Sequence, residues 1–324
     1  MADPLGSKAV AAPPPTLAVL EETVQLLRQA PFATLVRHWI GSVPFALGLL
    51  TFWNGLTTGR MTDEACALDA LALSLLLLWM NCWRAVFAGR LRRQLSGTPA
   101  VSWTPARVAR LAAGQSFLGA TRLVMLPLAA LVAFPFAAAV DFYRYATALA
   151  DREDLDPLEL ISRARALTRV HPGRSWAVLP VLAFLQLVMA LNLALAFGFL
   201  PFLIRALTGY ESEFTRGGTL LLQSPMFAIF VLVATWLAID PFVQAAYTVR
   251  LFHAESVATG EDLRVALRRL RAAQMLAAIL LLAIFPARAV SPAELQQSVQ
   301  KAMQAPEYGW RIPPPAKAIG SRPW

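Results

Sequence analysis

Residues 177–204, AVLPVLAFLQLVMALNLALAFGFLPFLI, contain no charged side chain. As a helix rising 1.5 Å per residue, this stretch would extend about 42 Å. That exceeds the roughly 30 Å of hydrocarbon in a bilayer. Its deep polar groups are Gln186 and Asn192, which can hydrogen-bond to neighbouring helices. It reads as a membrane-spanning helix, and the rest of the chain agrees. Hydrophobic residues make up 57% of the sequence and charged ones 15%, far from the balance of a soluble domain.

Working outward, further apolar segments fall at 38–54, 66–83, 117–149, 219–247 and 272–285. Trp39, Trp53, Trp83 and Trp176 lie at segment ends, as amphipathic rings do at headgroup level. The net charge of +9 is concentrated in the links. Residues 84–116 carry six arginines and no acid, 144–176 six arginines and 250–271 five, whereas 55–65 holds only Arg60. Basic residues in such links set orientation and meet anionic lipid headgroups, so the charge does not argue for nucleic acid. The positive-inside rule places the N-terminus and the three Arg-rich links in the cytoplasm.

Segment 117–149 then begins and ends on one side. It is short for two crossings of about 17 residues each. Pro135 within FPF at its midpoint predicts a tight or re-entrant hairpin, with a second arm, AAAVDFYRYATALA, too polar to face lipid. Five clear crossings, or seven if both arms span, finish outside. The last is RRLRAAQMLAAILLLAIFPARAVSP (268–292), built like a secretory signal peptide with Ala287-Arg288-Ala289 as its cleavage-like site. A basic cytoplasmic flank and a short apolar run are what a final N-in, C-out helix requires, so the likeness follows from shared physics. The expected layout is a disordered cytoplasmic tail at 1–15 and a helical membrane domain at 16–271. A last span at 272–285 and an extracytoplasmic tail at 286–324 follow.

Thr104-Pro105, Asp156-Pro157, Ser224-Pro225, Asp240-Pro241 and Ser291-Pro292 each place an N-cap side chain before a first-turn proline. Short interfacial helices are therefore expected at 105–116 and 157–169. Another is expected at 16–30, with Leu17, Leu20, Val24 and Leu27 on its apolar face. Cys66 and Cys82 would stand about 24 Å apart on one helix, too far for a disulfide. His38, His171 and His253 are isolated, and no metal, phosphate-loop or nucleophile motif is present.

Ionisable residues within apolar segments are the better leads, because a charge in lipid needs a partner. Arg122, Asp141 and Asp240 are the candidates. Asp69 lies near an outer end and reaches headgroups, and Arg122 can extend to the cytoplasmic interface. Asp240 has two readings. It caps a new helix at Pro241, the preferred one, or it lies mid-helix and needs a partner such as Arg122. Between 259 and 271, Thr259-Gly260 breaks a helix and Glu261-Asp262 start the next. Leu263, Ala266, Leu267 and Leu270 then oppose Arg264, Arg268, Arg269 and Arg271. This face, with Glu261 and Asp262 at its start, is expected to contact anionic lipid or a cytoplasmic partner.

DPFVQAAYTVRLFHAESVATGEDLR (240–264) is similar to a pattern in a group of uncharacterised bacterial multipass proteins. More distantly, it resembles the membrane domains that accompany glycerophosphodiester phosphodiesterases. RHWIGSVPFALGLLTFW (37–53) and LPFLIRALTGYESEFTRGGTLLLQSP (200–225) resemble earlier parts of the same group. The tail AELQQSVQKAMQAPEYGWRIP (293–313) resembles the start of an extracytoplasmic, transglutaminase-associated neighbour protein. The resemblance implies a place in a cell-envelope assembly.

The fold expected is an all-α polytopic transmembrane helical bundle. The function expected is that of a non-enzymatic inner-membrane scaffold or accessory subunit without a cofactor. A transporter or channel-like component using Arg122, Asp141 and Asp240 is the alternative.

Overall fold

Residues 63–96 form one 34-residue helix, α3, whose two halves meet opposite surroundings. In its first half Leu68, Leu71, Leu75 and Trp79 are exposed; from Met80 onward the helix buries Asn81, Arg84, Phe87, Leu91 and Arg93. Apolar side chains outside and polar ones inside invert the order of a soluble protein. The computed structural model describes residues 14–59, 61–99, 101–132, 136–152, 155–170, 172–211, 213–216, 223–284 and 292–303. Among them the regular elements are all helices.

Before α3 come α1 (Thr16–Gln29) and α2 (Phe32–Thr57). After it come α4 (Pro105–Val132), α5 (Phe136–Leu149), α6 (Pro157–Thr168), α7 (Pro172–Thr208) and the single turn α8 (Glu213–Arg216). The chain closes with α9 (Pro225–Thr259), α10 (Glu261–Ile284) and α11 (Pro292–Met303). Two compact units result, Met1–Ala266 and Leu267–Trp324. The buried core described below belongs to the first.

Local chemistry sets several ends. Thr62 accepts a hydrogen bond from the Ala65 N–H and opens α3, which stops at left-handed Gly97 (φ 66°). Ser224 accepts from the Phe227 N–H at the start of α9, as its sequence predicts, and Thr104 from the Arg107 N–H at the start of α4. The expected break at Thr259-Gly260 is present, with Gly260 left-handed (φ 63°). Asp156 precedes α6 without using its side chain as a cap.

Five helices are long and apolar enough to cross a membrane: α2, α3, α4, α9 and, over Trp176–Thr208, α7. The sequence reading also gives five clear spans, but with 272–285 in place of α4. α4 qualifies because 105–116 does not form a separate interfacial helix. Nothing between Leu111 and Phe117 interrupts the hydrogen-bond ladder, so the amphipathic turn and the apolar run join into 28 residues. Pro135 and the Ala287-Arg288-Ala289 site lie outside the described residues, as do Ser291 and residues 304–324. In α11, Leu295 and Val299 are exposed.

The second hairpin arm, α5, buries Ala137, Asp141, Tyr143 and every residue from Tyr145 to Leu149. It packs against α3, α4, α6, α7 and α9, which is where a helix too polar for lipid can be satisfied. α9 is the other central element, in contact with α1, α2, α3, α5, α6 and α7. One apolar cluster joins Tyr145, Leu149, Leu167, Val178, Val243, Tyr247 and Leu251. A second joins Val19 and Leu26 to Phe87, Leu91, Ala245, Val249 and Phe252.

α1 buries a stripe shifted from the expected one, with Leu20 and Leu27 of the expected face packed partly against the core. Val19, Thr23 and Leu26 face inward, while Leu17 and Val24 are exposed. Thr23 can be buried because its hydroxyl donates to the Val19 carbonyl at 2.7 Å. The His253–Glu22 contact at 2.7 Å fastens the same helix to α9.

α2 and α3 approach closely through glycines. A Cβ on Gly41 would stand 2.5 Å from the Trp83 Cβ, and one on Gly48 2.8 Å from Leu76 Cδ1. Small residues at such a seam let backbones pack where lipid supplies no hydrophobic drive. Gly41→Leu is expected to lower stability by about 1–3 kcal/mol or more through overpacking. Gly114→Leu, whose added Cβ meets nothing within 4 Å, serves as the control. Thermal unfolding in detergent checks the pair; equal melting points would refute the seam.

Buried arginine–carboxylate clusters as candidate functional site

Four carboxylates gather the arginines of α3, α4, α5, α6 and α9 into separate clusters along the bundle. Asp141 on α5, 1% exposed, faces Arg250 on α9. Arg250 Nη1 donates to Asp141 Oδ1 and Nη2 to Oδ2, both at 2.9 Å, in a two-pronged fork. This geometry suits the planar guanidinium and is the stronger form of the pair. The Arg250 guanidinium also lies over the rings of Tyr247 and Tyr145, 5.4 and 6.0 Å from their centroids.

Asp240 lies inside α9, not at a helix start. Arg84 Nη2 stands 2.7 Å from its Oδ2, an ion pair whose alignment falls short of a hydrogen bond. His38 Nε2 is 3.3 Å from the same oxygen and Arg144 Nη1 3.6 Å from Oδ1. Arg144 in turn donates to Gln244 Oε1 at 2.8 Å. The cap expected at Asp240-Pro241 therefore does not form. Its carboxylate is held by α3 instead of the first-turn N–H groups, and a buried charge–charge contact outweighs a local cap. The helix runs on through Pro241.

Asp151, just past α5, draws Arg107 and Arg93 together. Arg107 donates from Nε (2.9 Å) and Nη2 (2.5 Å) to Oδ1, and Arg93 Nη2 lies 2.8 Å from Oδ2. Arg107 Nη1 is spent on the carbonyls of Val101 and Ser102, each at 3.1 Å, and its guanidinium covers the Trp103 ring. Glu255, near the end of α9, meets three guanidiniums: Arg92 at 3.3 Å, and Arg152 and Arg163 at 3.2 Å each.

Of the residues singled out from sequence, Asp141 and Asp240 are both buried and ion-paired, each with a different partner. Arg122 is not the partner of Asp240. It lies within electrostatic reach of Arg144, Arg84 and Asp240, but makes no ion pair or hydrogen bond with a described residue. Asp69 is exposed on α3. Glu261 and Asp262 open α10 as expected, and Asp262 Oδ1 accepts from the Leu263 N–H. Arg264, Arg268 and Arg271 are exposed, with Arg264 3.6 Å from Glu261; the Arg269 side chain is outside the described ones.

Arg84, Arg93, Arg107, Arg144, Arg250, Asp151 and Glu255 escape a reading that treats link arginines as lipid contacts. The available signal is the sparse acid count. Asp151 and Glu255 are acids among many arginines, and 84–116 has no acid of its own, so any pairing must come from elsewhere in the chain.

Beside the Asp141–Arg250 fork is a cavity of about 30 Å³, lined also by Tyr145, Val178 and His253. That is space for roughly one or two waters. Among the described residues no group of three or more His, Cys, Asp or Glu is placed to hold a metal ion. Cys66 and Cys82 are free thiols on α3. Comparison of the chain with family models, curated proteins and solved structures finds no match.

Proposed function

We propose that the chain is a non-enzymatic integral protein of the bacterial inner membrane, a scaffold or accessory subunit of a cell-envelope complex. The observation that carries this reading is the state of its intramembrane acids. Asp141 and Asp240 are both buried and both matched by arginine inside close-packed helices, and the cavity next to Asp141 is only about 30 Å³. A carrier needs groups that release their partners and a cavity to receive cargo. Fixed guanidinium–carboxylate pairs serve instead to lock helices in one arrangement, which suits a platform.

The arginine-rich ends of α3, α5 and α9 face the cytoplasm in this reading, with the N-terminus inside and the C-terminus outside. Anionic headgroups of the bilayer and other envelope proteins are its partners, and nucleic acid is not. The cell-envelope setting rests on the resemblance of 37–53, 200–225, 240–264 and the tail.

Purified chain in liposomes carrying an internal pH dye and a potassium gradient tests the central point. Proton flux equal to that of protein-free vesicles, unchanged by Asp141→Asn or Asp240→Asn, is the expected result. Flux above that baseline, abolished by either substitution, would replace the scaffold with a transporter. Protease access to tags at the two ends tests the orientation separately.

A further inference from the structure

The span within α7, Trp176–Thr208, is 33 residues long and the most apolar of the five candidates. Asn192 is its middle residue, about 24 Å of helix from either end. The side chain is exposed. Its Nδ2 donates one hydrogen to the Val188 carbonyl at 2.8 Å, a bond within its own helix. The second Nδ2 hydrogen and the Oδ1 acceptor meet no described residue. In hydrocarbon about 30 Å thick, headgroups stand about 15 Å from that point, beyond the reach of so short a side chain. Acyl chains offer neither donor nor acceptor. Against lipid the amide is therefore left unsatisfied, at a cost.

Asn192 stands within a stripe spaced alternately by four and three residues: Val181, Leu185, Val188, Asn192, Leu195 and Phe199. All six are exposed, so no described helix covers the stripe. Its average period of 3.5 residues is that of a left-handed helix–helix seam. One polar residue at such a seam fixes register and the number of helices that meet. Gln186, six residues before Asn192, lies about 120° away round the helix and outside the stripe.

We propose that two copies of the chain pack α7 against α7 along this stripe, with Asn192 hydrogen-bonded to its counterpart in the second copy. Membrane insertion gives every copy one orientation. A two-fold axis along the bilayer normal then brings the same depth of α7 together. An amide is complementary to itself across such an axis, each Nδ2 donating to the other copy's Oδ1. Amide bonds between helices contribute where lipid supplies no hydrophobic drive. A different protein would have to bring its own polar group to that depth, whereas a second copy already has it. The proposal rests on the reading of the chain as an integral membrane protein, not on its role as a scaffold.

The test uses the full chain, carrying a donor or an acceptor dye on an N-terminal tag, in phosphatidylcholine vesicles. Energy transfer between copies is followed as lipid dilutes the protein. Wild type is expected to associate, and Asn192→Leu, an exposed change, to weaken association about tenfold. Gln186→Leu removes an amide from the same helix off the stripe and should dissociate like wild type. A second measurement locates the contact in a chain with Cys66→Ser and Cys82→Ser. There Val188→Cys should oxidise to a linked dimer and Leu187→Cys should not, although Leu187 is the more exposed, 66% against 38%. Association that Asn192→Leu leaves unchanged, or that both leucine variants weaken alike, would overturn the proposal. So would equal linking at positions 187 and 188. A chain that alkaline carbonate strips from the vesicles would overturn the membrane reading as well. One that stays in the membrane as a monomer would overturn the pairing alone.

Discussion

Asp151→Ala is expected to remove about 3–5 kcal/mol of stability, the scale of a buried pair broken on one side. Two cations are stranded together. Arg93 and Arg107 would face each other with no carboxylate between them, and Arg107 is only 2% exposed. The acid also fits where little else can. A Cβ placed on Gly89 of α3 would stand 2.7 Å from the Asp151 Cβ, so the end of α5 lies against bare backbone. Asp151→Asn keeps the shape and loses the charge, and should recover only part of the loss. Asp151→Glu has the charge but needs room the glycine contact does not leave. Unfolding in detergent, read by circular dichroism, orders the three variants. An alanine variant within about 1 kcal/mol of wild type would mean the arginines find other partners.

The Asp141–Arg250 fork carries the second large expectation. Asp141→Leu or Arg250→Met alone leaves one buried charge without its match and should lower stability by about 3–5 kcal/mol. The double variant removes both charges and fills the space with apolar atoms, so most of the loss should return. The coupling in such a cycle separates the pair from its surroundings. Arg250 also touches the faces of Tyr145 and Tyr247, so recovery is expected to be incomplete. If the double variant is as unstable as the sum of the singles, the fork does not hold α5 to α9.

The helices were legible where local chemistry decides them. Ser224-Pro225, Thr104-Pro105 and Thr259-Gly260 mark real boundaries because caps and left-handed glycines act over a few residues. Asp240-Pro241 carries the same signature and fails, since Arg84, far away in the chain, claims the carboxylate. The burial of α5 could be inferred from its polarity, yet its partner Arg250 could not, because 109 residues separate it from Asp141. The site was half visible. Asp141 and Asp240 stand out against apolar neighbours, whereas the arginines that hold them look like any basic link. Periodicity reports which residues share a helix face; it carries no record of which distant helix that face meets.

The two-faced α3 also bears on how the protein is made. Its apolar half can enter the bilayer as soon as it is synthesised, but its arginine half waits for acids that come much later in translation. Arg92 precedes Glu255 by 163 residues. Until α9 emerges, Arg84 and Arg92 have no carboxylate of their own to meet, and for a membrane-spanning chain anionic lipid is the available placeholder. Pairing of these two arginines is then a late exchange of headgroups for carboxylates. A chain stalled before residue 255 would remain recognisable to quality-control proteases by the charge it had not yet neutralised.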